Sequence, residues 1–402
     1  MICLILNILV FSLLLVREYL KHKKIKNPVL LVFFLYFSVS VCGYFLAVDN
    51  KDYKKMEILS CLYFYLICFV AFIPLRSSYR LADHIKIKET FLFKFLLGIY
   101  LIMAVITCYD YYFMLQEELS MGDWATLKEN VYNNDIHLRN GIIDVLARLY
   151  TQSLKYAVLC YGFYCLTVST KPVKYGLFFI LLGIIPSLVK DLAFAFRGGL
   201  GVDILLLLFI YLVFEGKIVK KNLKYINTIF VVTGIGVVLF TLAITITRFD
   251  VESNNSLISY FGQSMVDYNV GIASRISNYA GGRYFFSRLI GENVDKLLLD
   301  SNYGIATNDG KNLDTFVGPL LIDFGFVGGF IFILVISFLL YSYLKSRKYD
   351  LVKCSVLIFY VEFLLTGVFH IANGFAYTIL WFVIFSIFLK YSLSVAWYGK
   401  KY

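Results

Sequence analysis

Charged residues are scarce in this 402-residue chain. Asp, Glu, Lys and Arg together make up 16% of it, whereas hydrophobic residues make up 60% and the mean hydropathy is +0.75. An ordinary water-soluble domain cannot be built from this composition, because too much apolar surface would have to face water. The chain is therefore predicted to be an all-α polytopic membrane protein.

Several motifs of enzyme chemistry are also missing. No Asp-x-Asp or Glu-x-Asp pair occurs in the segments predicted below to lie outside the membrane, which disfavours a metal-dependent sugar-lipid transferase. Gly-x-Ser-x-Gly and His-Glu-x-x-His are absent, so a hydrolase has no support. The eight cysteines lie in or beside apolar stretches, and we interpret them as small core residues rather than as disulfides or metal ligands. We predict neither a metal nor a cofactor.

Apolar stretches of about 17 to 25 residues predict about eleven transmembrane helices. They lie near residues 1–16, 28–47, 57–75, 90–109, 142–168, 175–195, 198–214, 225–247, 316–344, 351–371 and 375–396. Most lysines then fall in cytoplasmic connections, so the positive-inside rule places the N-terminus outside and the C-terminus in the cytoplasm. Residues 1–16 lack a basic start and a small-residue cleavage site, which predicts an anchor rather than a cleaved signal.

Two predicted outer loops are long, at residues 110–141 and 248–315. The second joins the eighth and ninth spans, and a loop of that length is expected to be functional or to carry its own helices. The inner connections are short, which leaves no room for a cytoplasmic nucleotide-binding domain. We find no internal repeat and no linker, so residues 1–402 are predicted to form a single integral membrane domain.

The arginines are distributed differently from the lysines. Those that fall in predicted cytoplasmic loops are Arg17, Arg76, Arg80 and Arg347. Guanidinium can bind two phosphate oxygens at once, so arginine kept on the outer side, where topology disfavours cations, indicates a phosphate-containing ligand there. Chance placement with anchoring at helix ends is the alternative.

The segment between the sixth and seventh spans, residues 190–203, is one candidate for anion binding. Glycines follow Arg197 directly, so backbone and guanidinium could approach an anion at the start of a helix. Lys190 lies at the other end of the segment. The alternative is that Arg197 anchors a helix at the interface and that the glycines pack helices together.

The long loop at 248–315 is a second candidate. Its four arginines alternate with aromatic residues, as in Arg248, Arg275, Tyr279, Arg283, Tyr284 and Arg288. Such a mixture suits a ligand with both phosphate and sugar faces, because rings stack on C–H surfaces while arginines hold oxygens. A solvated loop whose acidic residues pair with these arginines is the alternative.

The loop ends in a third candidate segment, which reads Asn312-Leu-Asp314-Thr315-Phe-Val-Gly318-Pro319-Leu320-Leu321-Ile-Asp323-Phe324-Gly325-Phe-Val-Gly328-Gly329. Here the chain resembles the O-antigen polymerase (Wzy-type) family and, more distantly, the O-antigen ligases. The ligases carry a His-Asn pair followed by leucines, an acid and Gly-x-x-Gly, and the residues from Leu321 to Gly328 fall in step with that pattern. Asp314 and Thr315 occupy the positions of the His-Asn pair, which argues against a ligase.

The resemblance implies a GT-C-like oligosaccharide repeat unit polymerase, a glycosyltransferase of polysaccharide biosynthesis in the bacterial inner membrane. It would join undecaprenyl-pyrophosphate-linked repeat units into a surface polysaccharide, such as the O-antigen of lipopolysaccharide, capsule or exopolysaccharide, by metal-independent inverting transfer at the outer face. Its partners would be the lipid-linked donor and acceptor, the surrounding membrane lipid and, as a further partner, a chain-length regulator protein. An O-antigen ligase and a lipid-linked oligosaccharide flippase are the alternatives.

The implied mechanism assigns roles to named residues. Arginines would stabilise the negative charge that develops on the leaving pyrophosphate. The residues predicted to be catalytic are Arg197, Arg248 and Arg283, at the pyrophosphate, and Asp314 or Asp323, which would orient or deprotonate the acceptor hydroxyl. Those predicted to bind substrate are Arg275, Arg288, Tyr279, Tyr284, Lys190 and His370.

Intramembrane charges form a further pattern on the fifth predicted span. Asp144, Arg148, Gln152 and Lys155 recur at helical spacing, so this polar stripe has to face protein or water. Asp144 and Arg148 are four residues apart, and we predict that they neutralise each other.

Overall fold

A computed structural model of this protein describes residues 2–49, 56–81, 85, 87, 89–121, 141–194, 197–228, 256–273, 276, 278–291, 315–345, 350–369 and 374–394. These ranges consist of helices joined by turns, and no extended strand occurs within them. The main helices are α1 (Ile2–His22), α2 (Pro28–Asp49), α3 (Ile58–Ala71), α4 (Phe91–Met121), α5 (Ile142–Leu149), α6 (Lys155–Thr167), α7 (Val173–Ala193), α8 (Arg197–Phe214), α9 (Ser256–Asp267), α10 (Val317–Leu344), α11 (Leu351–Thr366) and α12 (Phe375–Ser394).

Eight stretches in the described part of the chain are helical, long and apolar enough to cross a membrane. They are Ile2–His22, Pro28–Val48, Ile58–Ser77, Phe91–Gln116, Val173–Ala193, Gly198–Lys217, Val317–Leu344 and Phe375–Ser394. Each coincides with a span predicted from hydropathy. The chain is therefore an all-helical polytopic membrane protein, as the composition predicts.

The other three predicted spans have different outcomes. The one at 142–168 is helical without a break over residues 142–167, with a π-helical turn at Tyr150–Leu154 between α5 and α6. The one at 351–371 contains α11, which has 16 residues and is shorter than the roughly 20 that a straight crossing needs. The one at 225–247 lies outside the described residues from 229 onward, so a total of eleven spans stays a prediction.

The predicted outer loop at 110–141 is wrong over its first twelve positions, because α4 continues to Met121. Neither glycine nor proline occurs between Gly98 and Gly122, and residues such as Leu115 and Gln116 favour helix. Tyr111 and Met114 also keep a buried face, which packs against Ala147 and Ala193. Continued burial on one face explains why the helix extends beyond the apolar stretch.

The predicted loop at 248–315 carries a helix of its own. Helix α9 lies so close to α2 that a Cβ added to Gly262 would be 2.5 Å from the amide nitrogen of Gly43. The π-helical turn Tyr268–Ala273 follows, and the Tyr268 hydroxyl donates to the Ser60 carbonyl oxygen at 3.1 Å. Residues 256–273 are thus packed against the spanning helices α2 and α3 rather than forming a free loop.

All eight cysteines are free thiols, six of them buried and two half-buried. This confirms their interpretation as small core residues.

The chain divides into two compact units. Unit 1 consists of Met1–Ser78, Glu252–Ser346 and Tyr360–Tyr377, and it contains α1 to α3, α9 and α10. Unit 2 consists of Tyr79–Val251, Arg347–Phe359 and Thr378–Tyr402, and it contains α4 to α8. Each unit is described separately below.

The glycine contact between α2 and α9 generates a prediction about stability. Gly262→Ala should destabilise the protein by about 1–3 kcal/mol, because the new methyl group has to displace backbone atoms of α2. The measurement is the midpoint of thermal unfolding in detergent.

Gly98→Ala is the matched control, since no atom lies within 4 Å of a Cβ at that helical position. An unchanged midpoint for Gly262→Ala would show that the helices are not in contact there.

Candidate functional site

The site in unit 1 begins with a break in helix α10 at Gly325. Its backbone has φ 67° and ψ −174°, a left-handed conformation that interrupts the helical hydrogen bonds. The Ala280 amide donates to the Ile322 carbonyl oxygen at 2.7 Å, and the Gly281 amide donates to the Asp323 carbonyl oxygen at 2.9 Å. Because backbone polar groups inside a membrane need partners, these two bonds make the break tolerable.

The buried Asp323 carboxylate holds the next residues in place. Its Oδ1 accepts from the Tyr284 amide at 2.9 Å and its Oδ2 accepts from the Phe285 amide at 2.6 Å. Gly281 and Gly282 just before them have φ of 64° and 92° and form the turn. We name residues 279–291 the arginine turn, because they carry Arg283 and Arg288.

Helix α12 holds the arginine turn from a second direction. The Gly374 amide donates to the Tyr284 carbonyl oxygen at 3.0 Å, and the Ala376 amide donates to the Phe285 carbonyl oxygen at 3.2 Å. A Cβ at Gly374 would lie 2.3 Å from Cγ of Arg288, so the stem of this arginine rests on the Gly374 backbone. The backbone of the turn is therefore fixed to both α10 and the start of α12.

The exposed side chains of the arginine turn include Arg283 and Tyr279. The Arg283 side chain is exposed, and within the described ranges no carboxylate forms an ion pair with it. Tyr279 is 55% exposed, and its ring lies over Gly325. The ring of Tyr284, in contrast, is buried, so this residue serves the turn through its backbone.

The arrangement combines an exposed guanidinium, an exposed ring and the open backbone of Gly281 at a break in a spanning helix. It can bind an oxyanion through Arg283 and a flat apolar face through Tyr279. Both oxygens of Asp323 are already bonded to backbone amides, so this carboxylate positions the turn. Among the other predicted residues, Arg248, Arg275, Asp314 and His370 lie outside the described residues, and their roles stay predictions.

The second candidate segment lies in unit 2, between α7 and α8. Arg197 is the first residue of α8, as predicted, but its side chain is not among those described. Lys190 Nζ lies 3.2 Å from the buried Asp191 Oδ1. The structure thus places Lys190 beside a carboxylate that the sequence did not single out.

A buried ion pair in unit 2 was also missed from sequence. Lys155 Nζ lies 2.9 Å from Asp203 Oδ1, with both side chains 3% exposed, and 3.3 Å from Ser187 Oγ. The polar stripe on the fifth span includes Lys155. Its partners Ser187 and Asp203 lie on α7 and α8, so no spacing in the sequence could connect them to it. The local pair is confirmed, because Arg148 and Asp144 form two contacts at 2.7 and 2.9 Å.

A further ion pair lies outside the spanning segments of unit 2, between Glu89 and Lys171. Tyr161 joins it, since its hydroxyl donates to Glu89 Oε1 at 2.8 Å and lies 3.0 Å from Lys171 Nζ. Burial raises the pKa of Glu89, but the hydrogen bonds from Lys171 and Tyr161 outweigh it and bring the pKa below the ordinary 4.5. Burial lowers the pKa of Lys171, but its bond to Glu89 and the nearby Cys165 and Tyr175 together bring the pKa above its ordinary value.

Comparison of the chain with models of protein families, with curated proteins and with solved structures finds no match. The function has to be argued from the chemistry of these sites.

The contact of Tyr279 with Gly325 can be tested by a double-mutant cycle. Gly325→Ala should destabilise the protein, because its Cβ would lie 2.4 Å from Cζ of Tyr279 and because φ is positive. Tyr279→Ala removes the clash, so the double variant should lose less stability than the sum of the single ones, as judged by thermal unfolding. Strict additivity would mean that the ring does not cover the break.

The ion pair of Glu89 with Lys171 predicts a pH dependence. A depressed carboxylate pKa contributes stability that is complete above the unfolded pKa and is lost as the pH falls through the folded pKa. Glu89→Gln should therefore be less stable than the wild type by about 1 kcal/mol at neutral pH. The gap should close only below the ordinary carboxylate pKa of 4.5.

Thermal unfolding of both proteins across this pH range measures the effect. Lys171→Met completes a double-mutant cycle. In a protein that already carries Lys171→Met, Glu89→Gln should cause little further loss of stability, because the cation that pairs with Glu89 is gone. A gap that stays constant down to strongly acidic pH would contradict the ion pair.

Proposed function

We propose that this chain is an oligosaccharide repeat unit polymerase of the O-antigen (Wzy) type with a GT-C-like fold of about eleven spans. In this proposal it lies in the bacterial inner membrane, with its N-terminus outside and its C-terminus in the cytoplasm. It would transfer a growing glycan from undecaprenyl pyrophosphate to a lipid-linked repeat unit, with inversion and without a metal. The observation that carries the proposal is the arginine turn, in which Asp323 binds the two backbone amides that follow Arg283 and the exposed guanidinium lies beside a break in a spanning helix.

The charge of the turn suits the leaving group. When the glycosidic bond to a polyprenyl pyrophosphate breaks, negative charge builds on the departing phosphate oxygens. A guanidinium whose position is fixed before the reaction stabilises that charge without reorganisation, and one such donor contributes about 3–4 kcal/mol. Arg283 has no carboxylate neighbour among the described residues, so its charge is available to an incoming anion.

The apolar and backbone features of the turn suit a sugar attached to that phosphate. The exposed Tyr279 ring can stack on the C–H face of a pyranose. Gly281 is exposed, and no atom lies within 4 Å of the position that a Cβ would take there, so a bulky ligand can approach its backbone. The broken helix α10 is long and apolar enough to cross a membrane, as a site for a lipid-linked substrate requires.

In the proposed reaction, an acceptor hydroxyl oxygen attacks the anomeric carbon of the donor sugar. The bond from that carbon to the pyrophosphate oxygen breaks, and its electron pair stays on the pyrophosphate. Arg283, with Arg288, would bind the leaving group, and the same role for Arg197, Arg248 and Arg275 stays a prediction from the sequence. The proton of the hydroxyl passes to a base, for which Asp314 is the better candidate, because the Asp323 oxygens are held by amides.

Arg283→Ala tests the proposal in cells whose own copy of the gene is deleted. We expect the long glycan ladder to disappear and lipid-linked single repeats to accumulate, with the protein still present in the membrane. In an assay with purified protein, kcat should fall by about 10²–10³-fold, the effect of losing one preorganised donor to the developing charge. Arg283→Lys should recover only part of this activity, because an ammonium group lacks the bidentate fork.

Arg76→Ala is the matched control, since Arg76 is an exposed arginine of the same unit that is predicted to face the cytoplasm. Asp323→Asn should reduce activity without changing the pH profile if Asp323 only positions the turn. A full-length ladder from Arg283→Ala would reject the role of this arginine. If deletion of the gene left polymer attached to undecaprenyl pyrophosphate, the protein would be a ligase. If deletion kept the lipid-linked repeat units from crossing the membrane, it would be a flippase.

A further inference from the structure

Residues 218–228 form a short segment of unit 2 that is helical from residue 220 onward. The stretch Gly198–Lys217, which is long and apolar enough to cross a membrane, ends directly before it. The side chains of Asn222 and Ile226 are buried, at 7% and 2% exposure. The segment therefore packs one side against the protein at the end of a spanning helix.

Two hydrogen bonds to one carbonyl group fix the segment in place. The Asn222 side chain donates from Nδ2 to the Leu166 carbonyl oxygen at 3.1 Å, and the Val219 amide donates to the same oxygen at 3.3 Å. Leu166 lies in the last turn of α6, where carbonyl groups have no helical donor of their own. The segment thus caps α6 and is held to it by these bonds.

The exposed side of this segment carries three lysines. Lys220, Lys221 and Lys224 are all exposed. Because successive residues of an α-helix are about 100° apart, these three positions lie within about 100° of one another and roughly opposite the buried side. We name Lys220, Lys221 and Lys224 the lysine face.

The lysine face has no internal counter-ion. Within the described residues none of its three ammonium groups forms an ion pair, whereas Lys155 and Lys171 of the same unit are each paired with a carboxylate. Lys220 and Lys224 are also about one helical turn apart, so their like charges disfavour the helix. A surface that keeps three cations side by side in this way suits an anion supplied from outside the chain.

The position of the lysine face indicates a lipid headgroup rather than a dissolved anion. Lys217, the last residue of the spanning stretch, comes shortly before Lys220, so the face lies close to the bilayer surface. Tyr225, its neighbour on the helix, is 51% exposed, and tyrosine is enriched where a protein meets the membrane–water interface. Clusters of basic residues directly after a spanning helix attract anionic headgroups.

We propose that the lysine face binds the headgroups of anionic phospholipids in the leaflet where the stretch Gly198–Lys217 ends. The ammonium groups would donate to the phosphate oxygens, and the bonds of residues 219 and 222 to α6 would keep the face in place beside the span. The sequence predicts that this leaflet is the cytoplasmic one. The proposal rests on unit 2 alone and does not depend on the glycosyl transfer proposed above.

Thermal unfolding in the presence of lipid tests the proposal. The full-length protein, purified in a neutral detergent, is titrated with phosphatidylglycerol while the midpoint of unfolding is followed. A ligand that binds the folded protein raises this midpoint, so the lipid concentration that gives half of the largest rise ranks the apparent affinities. We expect a larger rise with phosphatidylglycerol than with zwitterionic phosphatidylcholine, and a weaker effect when sodium chloride is added.

Replacing the lysine face should remove most of this preference. In a variant that combines Lys220→Gln, Lys221→Gln and Lys224→Gln, the phosphatidylglycerol concentration for half of the rise should increase by about tenfold or more. The reason is that each lysine near an anionic surface contributes about fivefold to the affinity. The response to phosphatidylcholine should not change. Arginine at the same three positions should preserve binding, because the charges are kept.

The matched control removes three other exposed lysines of unit 2. Lys94, Lys174 and Lys390 lie on α4, α7 and α12 and are also predicted to face the cytoplasm. Changing all three to Gln removes the same net charge but leaves the lysine face intact. We expect this control to bind phosphatidylglycerol nearly as the wild type does.

Three results would overturn the proposal. The first is an equal loss of affinity in the control, which would mean that only the total charge of the protein matters. The second is a wild type that responds equally to the two lipids or to neither, which would show that the charge of the headgroup is not recognised. The third is the same rise with inorganic phosphate alone, which would make the ligand a dissolved anion.

Discussion

The hydrogen bonds from the Tyr284 and Phe285 amides to Asp323 are the contacts on which the organisation of unit 1 depends. A spanning helix that breaks in apolar surroundings leaves carbonyl and amide groups that need partners. In α10 the break at Gly325 leaves the carbonyls of residues 322 and 323 without helical donors, and the amides of residues 280 and 281 donate to them instead. The Asp323 carboxylate accepts from the amides of Tyr284 and Phe285. The backbone of the arginine turn is thus held by the broken helix at both points.

The same constraint acts differently in unit 2. There the irregularities of α5 to α7 are resolved by side chains, as when Tyr150 bonds the carbonyl that Pro186 leaves open. The buried pair of Lys155 with Asp203 shows that charges, like hydrogen-bonding groups, need a partner where the surroundings do not solvate them. The arginine turn of unit 1 carries Arg283 at its surface, whereas this pair of unit 2 is buried.

The sequence predicts the parts of this structure that depend on local pattern. Eight spans follow from hydropathy, and the pair of Asp144 with Arg148 follows from helical spacing. The contact of Lys155 with Asp203 joins residues on different helices, so packing alone determines it. Helix α4 extends past its apolar stretch because Tyr111 is buried by other helices, and α9 is helical within a predicted loop because Gly262 fits against α2.

The arginine turn lies between these cases. Its arginines and Asp323 were each predicted, but their connection through backbone amides requires Gly281, Gly282 and Gly325 to have positive φ at the same time. This connection also makes the two arginines unequal. The stem of Arg288 is held on Gly374, so much of its conformational entropy, up to about 2 kcal/mol, is already lost on folding, whereas Arg283 is positioned through the backbone of the turn alone. The side chain of Arg288 is therefore the more tightly held of the two, although the backbone of both is fixed before an anion binds.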